Sequence, residues 1–275
     1  MLDTDVDYQP NLPVMNADAA AEIRSRTDLE WFHGIRIGDH LTTGYDLVAA
    51  NWRFVSQFLQ KHGEKFAGKS VLEPGCADGL WTAWMTKLGA TDLVCSDIDT
   101  REQFKLVIRA LGLPAAYYPG VISTDLGKVV RRRFPVVTSL GLLYHVHDPL
   151  MTLTMYRRFL TMGGYLFLET ATVDSEAEYM QYSGGDKVYR KAAGNQFIPS
   201  SGFLRSALNE LGMDVLDFAF RSDGFQDELG NTVGRSILVA QKTRPVEIHF
   251  YTSLLNQLDM NRHEFAGEKW YHMDV

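Results

Sequence analysis

The chain has 275 residues, 45% of them hydrophobic, a formal net charge of −7 and a pI near 5.6. This length can bury a large core, and one main domain with appended segments is expected. The acidic balance argues against broad binding to nucleic acid, which depends on clustered Lys and Arg. Apolar runs are too short to span a bilayer, the N-terminus is unlike a signal peptide, and two cysteines indicate no disulfide framework, so a reduced, cytoplasmic setting is expected.

The sequence predicts three segments: an N-terminal arm and helical cap (1–66), a main domain (67–243) and a C-terminal extension (244–275). Asn16 or Asp18 is expected to cap a first helix. Thr100 is expected to cap a later helix that ends at Leu111, and Ser200 or Ser201 one that ends at Leu211. The aromatic, glycine-containing stretch that follows is expected to cover a ligand, although Trp31 and Phe32 are better explained as residues that pack this stretch onto the domain. Its candidate contacts are Trp31, His33, Arg36, Tyr45 and Asp46. A second helix is predicted from residue 47 to 61.

Residues 69–99 predict a strand, a glycine loop, a helix and a second strand that ends on an acid. The first apolar run ends on Glu73, and the loop reads P-G-C-A-D-G. The second run ends on Asp97, 18 residues after Gly79. In an open parallel sheet this order places the loop and the second acid at one edge, where nucleotide ligands bind.

The loop pattern distinguishes between nucleotide ligands. A dinucleotide fingerprint spaces its glycines as G-x-G-x-x-G, whereas this loop reads E-x-G-x-A-x-G with Glu73 first. An acid before the turn suits a ligand that is cationic at that end, and Asp97 can accept the hydroxyls of a ribose. The loop therefore predicts S-adenosylmethionine. A simple tight turn between strand and helix is the structural alternative.

The second half continues the alternation of strands and helices. A buried strand over 135–140 is followed by a loop that contains Tyr144, His145 and His147. Further strands are predicted over 165–169, ending on Glu169, and over 213–219 and 235–241. The polar connection 175–199, with Tyr182 and Asn195, is expected to act as a substrate lid. No H-E-x-x-H or clustered carboxylate pattern is present, so no metal is expected.

The order resembles the class I methyltransferases: an α/β, Rossmann-like fold with a seven-stranded, mostly parallel sheet and helices on both faces. The resemblance extends to the family that includes the tRNA wobble-uridine carboxymethyltransferase. It covers most of residues 70–241 and is carried by these blocks: LEPGCADGLWTAWMTKLGATDLVCSDID, REQF, SLGLLYHVHDPL, GGYLFLETATVD, NQFIPSSGFLRSALNELGM and GRSILVA.

The resemblance implies roles for individual residues. Glu73, Gly75, Ala77 and Asp97 would bind the cofactor, with Gly79 and Tyr45 as further candidates, and Leu140, Tyr144 and His145 would line the transfer site. His145 is the first candidate for a general base, and His33 and His147 are the others, because the pKa of histidine lies near neutrality. The alternative is a structural role in which His145 hydrogen-bonds the loop. Tyr144 is expected beside the sulfonium. The candidate substrate contacts are Trp31, Arg36, His147, Glu169, Tyr182, Asn195 and Arg235.

The chain departs from the tRNA enzyme in one block. Arg235 resembles an arginine that helps to hold the extra carboxylate of carboxy-S-adenosylmethionine, but the basic block W-R-K-G-P-F has no counterpart before Trp31, where SRTDLE stands. This departure and the acidic charge favour methyl transfer to a small molecule. The C-terminal extension is a candidate to close a substrate pocket or to form a homodimer contact, and no membrane partner is expected. The alternatives are tRNA carboxymethyl or methyl transfer and a non-catalytic cofactor-binding protein.

Overall fold

The computed structural model describes residues 8–45, 49–121, 125–185 and 194–246. Asp46 and the extension from residue 247, whose predicted helix spans 251–258, lie outside these ranges. The chain forms two compact units, Met1–Val121 and Ile122–Val275. The division at residues 66 and 243, which follows composition, stays a prediction.

The first unit is built around three parallel strands. Val71 pairs with Leu93 on the neighbouring strand, and Leu93 pairs with Ala115 on the next one. The described elements of this unit are α1 (Ala17–Ser25), β1 (Arg36–Ile37), β2 (His40–Leu41), α2 (Ala49–Lys61), β3 (Ser70–Pro74), α3 (Leu80–Lys87), β4 (Asp92–Asp97), α4 (Glu102–Leu111) and β5 (Ala115–Pro119).

The N-terminal caps of two helices in the first unit show one prediction that is confirmed and one that is wrong. Asn16 caps α1, as expected, by accepting a hydrogen bond from the Ala19 N–H at 2.9 Å. The expected cap of α4 by Thr100 is wrong. Arg101 holds the cap position without a side-chain cap bond, and its N–H donates to the Tyr117 hydroxyl at 3.0 Å. A tertiary contact therefore replaces the local cap.

The second unit combines parallel and antiparallel pairing. The strand over 134–140 runs parallel to the strand over 160–173. The last strand, over 232–242, pairs antiparallel with the strand over 160–173 and with the one over 213–226. The described elements of this unit are α5 (Leu126–Val129), β6 (Phe134–Leu140), α6 (Pro149–Phe159), β7 (Leu160–Val173), β8 (Met180–Gly185), β9 (Asn195–Pro199), α7 (Ser201–Glu210), β10 (Met213–Gln226) and β11 (Thr232–Lys242).

Three elements of the second unit differ from expectation. β7 and β10 are longer than predicted because β11 pairs along them from Tyr165 to Val173 and from Met213 to Gln226. The connection 175–199 contains an antiparallel pair, β8 and β9, in which Tyr182 lies opposite Phe197.

Ser200 caps α7, as expected, by accepting a hydrogen bond from the Phe203 N–H.

Seven of the described strands belong to one sheet, in the order β10-β11-β7-β6-β3-β4-β5. The sheet is mostly parallel, and helices connect its parallel strands, so the predicted fold class is confirmed. Its strands are largely buried, with Val136, Val137 and Leu166 fully so. Within the described part of the chain, no helix is both long and apolar enough to cross a membrane.

Candidate active site

The glycine loop follows β3 and is shaped by left-handed residues. Gly75, Ala77 and Gly79 have φ angles of 75°, 48° and 96°. The N–H groups of Gly75 and Cys76 donate to the Ser96 carbonyl of β4 at 2.7 and 3.1 Å. A Cβ at Gly79 would lie 3.2 Å from the Phe104 ring, so glycine is needed there for close packing as well as for φ. The loop is thus held against the end of the neighbouring strand.

Asp97, the last residue of β4, bonds directly to this loop. Its Oδ2 accepts the Ala77 N–H at 2.9 Å, and its Oδ1 accepts from Asp99 N–H and Arg101 Nε at 3.3 and 3.4 Å. A left-handed conformation costs an alanine about 1–2 kcal/mol. The hydrogen bond to Asp97 helps to offset that cost, so this acid shapes the loop in addition to its expected role with a ribose.

Glu73 lies beneath the loop and is buried. Its Oε2 accepts hydrogen bonds from Thr82 Oγ1 at 2.5 Å and from Cys95 Sγ at 3.5 Å, while Oε1 has no hydrogen-bond partner among the described residues. Burial, and to a smaller extent the charge of Asp97, raise the pKa of Glu73 to about 8. The carboxyl is therefore mostly protonated at neutral pH.

Asp78, inside the glycine loop, is a residue that the sequence reasoning missed. Its Oδ2 accepts the N–H groups of Phe32 and His33 at 2.9 and 2.7 Å, and its Oδ1 contacts the His33 ring at Nδ1. Both side chains are buried. An acid between Ala77 and Gly79 was visible in the sequence, but its partner lies 45 residues away.

The other N-terminal candidates occupy different environments. His33 packs against Trp52 and Trp81, with ring centroids 5.1 and 5.6 Å away, and Trp31 is also buried. Arg36 lies in β1, where its N–H donates to Gln9 Oε1. Tyr45 is exposed. The N-terminal segment thus separates into packed residues and an exposed aromatic face.

A buried ion pair dominates the described polar groups of the second unit. Arg235 of β11 donates from Nε and Nη2 to the two carboxylate oxygens of Glu169 on β7, each at 2.6 Å. The guanidinium carbon lies 4.6 Å from the centroid of the Tyr144 ring. Leu140 ends β6 and is buried, and the N–H of Gly141 donates to the Glu169 carbonyl at 3.0 Å. These contacts gather four of the predicted site residues around the carboxyl end of β6: Leu140, Tyr144, Glu169 and Arg235.

His145 lies next to this pair at the end of a short 3-10 turn, Leu143–His145. Its Nδ1 is 3.0 Å from the Gly194 carbonyl oxygen, which can only accept a hydrogen bond. Nδ1 therefore carries the proton, and Nε2 of the neutral ring is a proton acceptor. The residue is exposed overall, but atoms packed around the ring, and then the charge of Arg235, lower the pKa of His145 below its ordinary value.

The remaining candidates differ in their exposure to solvent. His147 is exposed. Tyr182 on β8 is exposed and its ring lies 5.4 Å from that of Phe197, whereas Asn195 at the start of β9 is buried. No group of three or more His, Cys, Asp or Glu side chains that could hold a metal ion occurs in the described ranges.

The residues of the first unit fit an adenosyl sulfonium. Oε1 of Glu73 has no hydrogen-bond partner among the described residues and can accept a hydrogen bond from an ammonium group, and Asp97 stands at the tip of the neighbouring strand. This loop and the strand order together define a class I methyltransferase, the class whose methyl donor is S-adenosylmethionine. A family profile described as "Methyltransferase domain" matches residues 47–217, and the chain belongs to that family.

Individual relatives agree with this class. The tRNA U34 carboxymethyltransferase of Methylococcus capsulatus (strain ATCC 33009 / NCIMB 11132 / Bath) is 30% identical over 203 residues, which cover 72% of this chain and 61% of the relative. The ubiquinone biosynthesis O-methyltransferase of Proteus mirabilis (strain HI4320) is 25% identical over 154 residues, covering 54% and 62%. The chain thus spans about three fifths of the length of these relatives.

A solved structure supports the fold. The N-terminal domain of EvdMO1, determined in the presence of SAH and D-fucose, superposes with a TM-score of 0.59 at 19% identity. The superposition covers 84% of this chain and 98% of that one. The resemblance to class I methyltransferases predicted from the sequence is confirmed.

Proposed function

We propose that this protein transfers a methyl group from S-adenosylmethionine to a small-molecule acceptor that carries an ionisable O–H or N–H. The single observation that carries the proposal is the hydrogen bond from Ala77 N–H to Asp97, because it joins the left-handed loop to the acid expected to hold the ribose. When bound, the cofactor supplies a methyl group on a sulfonium, which is already a good leaving group. The protein therefore has mainly to position the acceptor and exclude water.

In this proposal the glycine loop and the acids beside it hold the cofactor, and His145 acts on the acceptor. Gly75, Ala77 and Gly79 shape the loop, Asp97 holds the ribose, and Glu73 faces the cationic end. His145 accepts the proton of the acceptor at Nε2, since the Gly194 carbonyl fixes the proton on Nδ1. The lowered pKa of His145 keeps the ring neutral, and so competent as a base, at neutral pH.

The charge distribution supports a small acceptor. The net charge is −7, and the only cationic run of the sequence, Arg131–Arg132–Arg133, is partly engaged in local contacts. Arg132 lies 4.7 Å from the centroid of the Phe134 ring, and Arg131 donates to the Lys128 carbonyl. Binding of tRNA relies on cations that can neutralise phosphates.

The second candidate function is carboxymethyl or methyl transfer to tRNA, which the 30% identity to the Methylococcus capsulatus relative favours. A carboxylated donor would need a cation for its extra carboxylate. Arg235 is the candidate, but two of its donors already bind Glu169, and the pair is neutral as a unit. This pairing and the absence of the basic block before Trp31 support the uncarboxylated donor.

The test has two arms. Calorimetry with S-adenosylmethionine and with its carboxylated form is expected to show preference for the former; the reverse order would favour the tRNA function. A metabolite extract incubated with isotopically labelled methyl donor is expected to yield one labelled small molecule by mass spectrometry. Cofactor binding without any labelled metabolite or tRNA would instead support a non-catalytic protein.

The role of His145 is tested with the acceptor that this screen identifies. His145→Gln removes the base and is expected to lower kcat by about 10²- to 10⁴-fold. In the wild type, kcat/KM is expected to rise with pH through an apparent pKa below that of ordinary histidine, and the variant should lose this limb. An unchanged pH profile would show that the acceptor needs no base from His145.

A further inference from the structure

Two exposed aromatic side chains lie on the N-terminal segment of the first unit. Phe32 is 46% exposed and Tyr45 is 55% exposed. Their ring centroids are 5.8 Å apart in an edge-to-face arrangement. The neighbouring Trp31 and Trp52 are buried, and the Phe32 ring packs against Trp52 with the ring centroids 6.4 Å apart, but about half of the surface of Phe32 and of Tyr45 remains exposed. Large exposed apolar side chains side by side are typical of a binding surface.

The backbone ties this pair to the glycine loop. The Phe32 N–H donates to Asp78, between Ala77 and Gly79, at 2.9 Å, and the Tyr45 N–H donates to the Phe32 carbonyl at 3.2 Å. The His33 ring contacts Phe32 edge-to-face at 4.8 Å and is itself held by Asp78. Phe32 and Tyr45 are therefore positioned beside the loop that is assigned to the cofactor.

The aromatic side chain expected from the sequence to face the sulfonium is Tyr144. In the structure its ring already has the Arg235 guanidinium 4.6 Å from its centroid, and its side chain is buried. An aromatic face attracts a cation through its quadrupole, so a ring that already faces a guanidinium attracts a second cation less strongly. Phe32 and Tyr45 are exposed and lie next to the loop.

We propose that Phe32 and Tyr45 form an aromatic subsite for the positively charged sulfonium of S-adenosylmethionine. This inference rests on the proposed function and adds a basis for selectivity. S-adenosylmethionine carries the sulfonium charge, whereas the S-adenosylhomocysteine left after methyl transfer is a neutral thioether. Cation–π attraction at this subsite favours the donor over the spent product, which promotes product release. Asp78 and His33 act as positioning residues for the pair.

The test is calorimetry of the full chain with S-adenosylmethionine and with S-adenosylhomocysteine. Phe32→Leu and Tyr45→Leu keep apolar bulk but lose the aromatic face. Each is expected to weaken binding of the donor by about two- to fivefold and to leave binding of the product unchanged. Phe32→Tyr retains an aromatic face and should preserve the ratio of the two affinities. Phe225→Leu, at an exposed phenylalanine of β10, is the matched control.

The outcomes separate this inference from the proposed function. Equal weakening of both ligands, or no weakening, would overturn the aromatic subsite while leaving the methyltransferase proposal intact. A wild-type chain that binds neither ligand would overturn both. Thermal unfolding of each variant identifies any loss of fold. Because a general loss of fold weakens the binding of both ligands, a change in the ratio of the two affinities still reports on the subsite.

Discussion

The acids in and beside the glycine loop differ in what they bind from the charged pair on β7 and β11. In the first unit, the carboxylate oxygens of Asp78 and Asp97 accept hydrogen bonds mainly from backbone N–H groups of the loop and the N-terminal segment. In the second unit, Glu169 and Arg235 bind each other through two hydrogen bonds. The first arrangement fixes the path of the backbone, whereas the second fixes a pair of charges.

This difference leads to different expectations for mutations. Loss of a loop acid removes the partners of backbone N–H groups, so binding of a ligand that depends on the loop should suffer. Loss of one member of the buried pair leaves the opposite charge without its principal partner in a dry environment, so the fold itself should suffer. Three measurements test this comparison.

The largest effect is expected for Glu169→Ala. Removing the carboxylate leaves the Arg235 guanidinium buried without its bidentate partner, and such a change typically costs about 3–5 kcal/mol of stability. Urea unfolding measures it. The matched control is Glu176→Ala, which breaks the exposed pair with Arg205 and should cost at most about 1 kcal/mol. Similar losses of unfolding free energy in both variants would show that the buried pair contributes no more to stability than the exposed pair.

The next effect concerns cofactor binding. Asp97→Ala removes the acceptor of the Ala77 N–H together with the expected ribose contact. Hydrogen bonds to charged groups contribute about 1.5–3 kcal/mol, so the Kd for S-adenosylmethionine should rise at least about tenfold. His145→Ala should change this Kd by less than about twofold, since this residue is assigned to proton transfer. Equal losses of cofactor affinity in Asp97→Ala and His145→Ala would contradict the assignment of Asp97 to cofactor binding and of His145 to the acceptor.

The smallest effect concerns the buried acid beneath the loop. The folded-state pKa of Glu73, about 8, lies above its ordinary value of 4.5. The protonated acid is thus favoured by the fold, and its contribution to stability is complete below pH 4.5 and is lost as pH rises towards 8. Between pH 6 and 7, wild-type stability should fall relative to Glu73→Gln by about 1 kcal/mol. Parallel pH profiles of unfolding free energy would contradict this protonation state.

The limits of the sequence reasoning follow from the range of each interaction. Asn16 and Ser200 were identified as caps because a cap bonds to N–H groups three residues away. Asp78 was missed as a functional candidate because its partners lie 45 and 46 residues earlier in the chain. Phe32 was interpreted as a packing residue, but hydrophobicity alone does not show which of two adjacent aromatic residues faces solvent.

The sequence by itself determined the class of fold, the glycine loop and the acid at the tip of the next strand, because periodicity, turn residues and spacing act over short stretches of chain. Only the tertiary structure decided which distant groups meet: the Asp78 carboxylate and His33, Glu169 and Arg235, and the His145 ring and the Gly194 carbonyl. It also decided that Glu73 is buried. Burial depends on every element packed around a side chain, so the pKa of that acid could not be inferred from its neighbours in sequence.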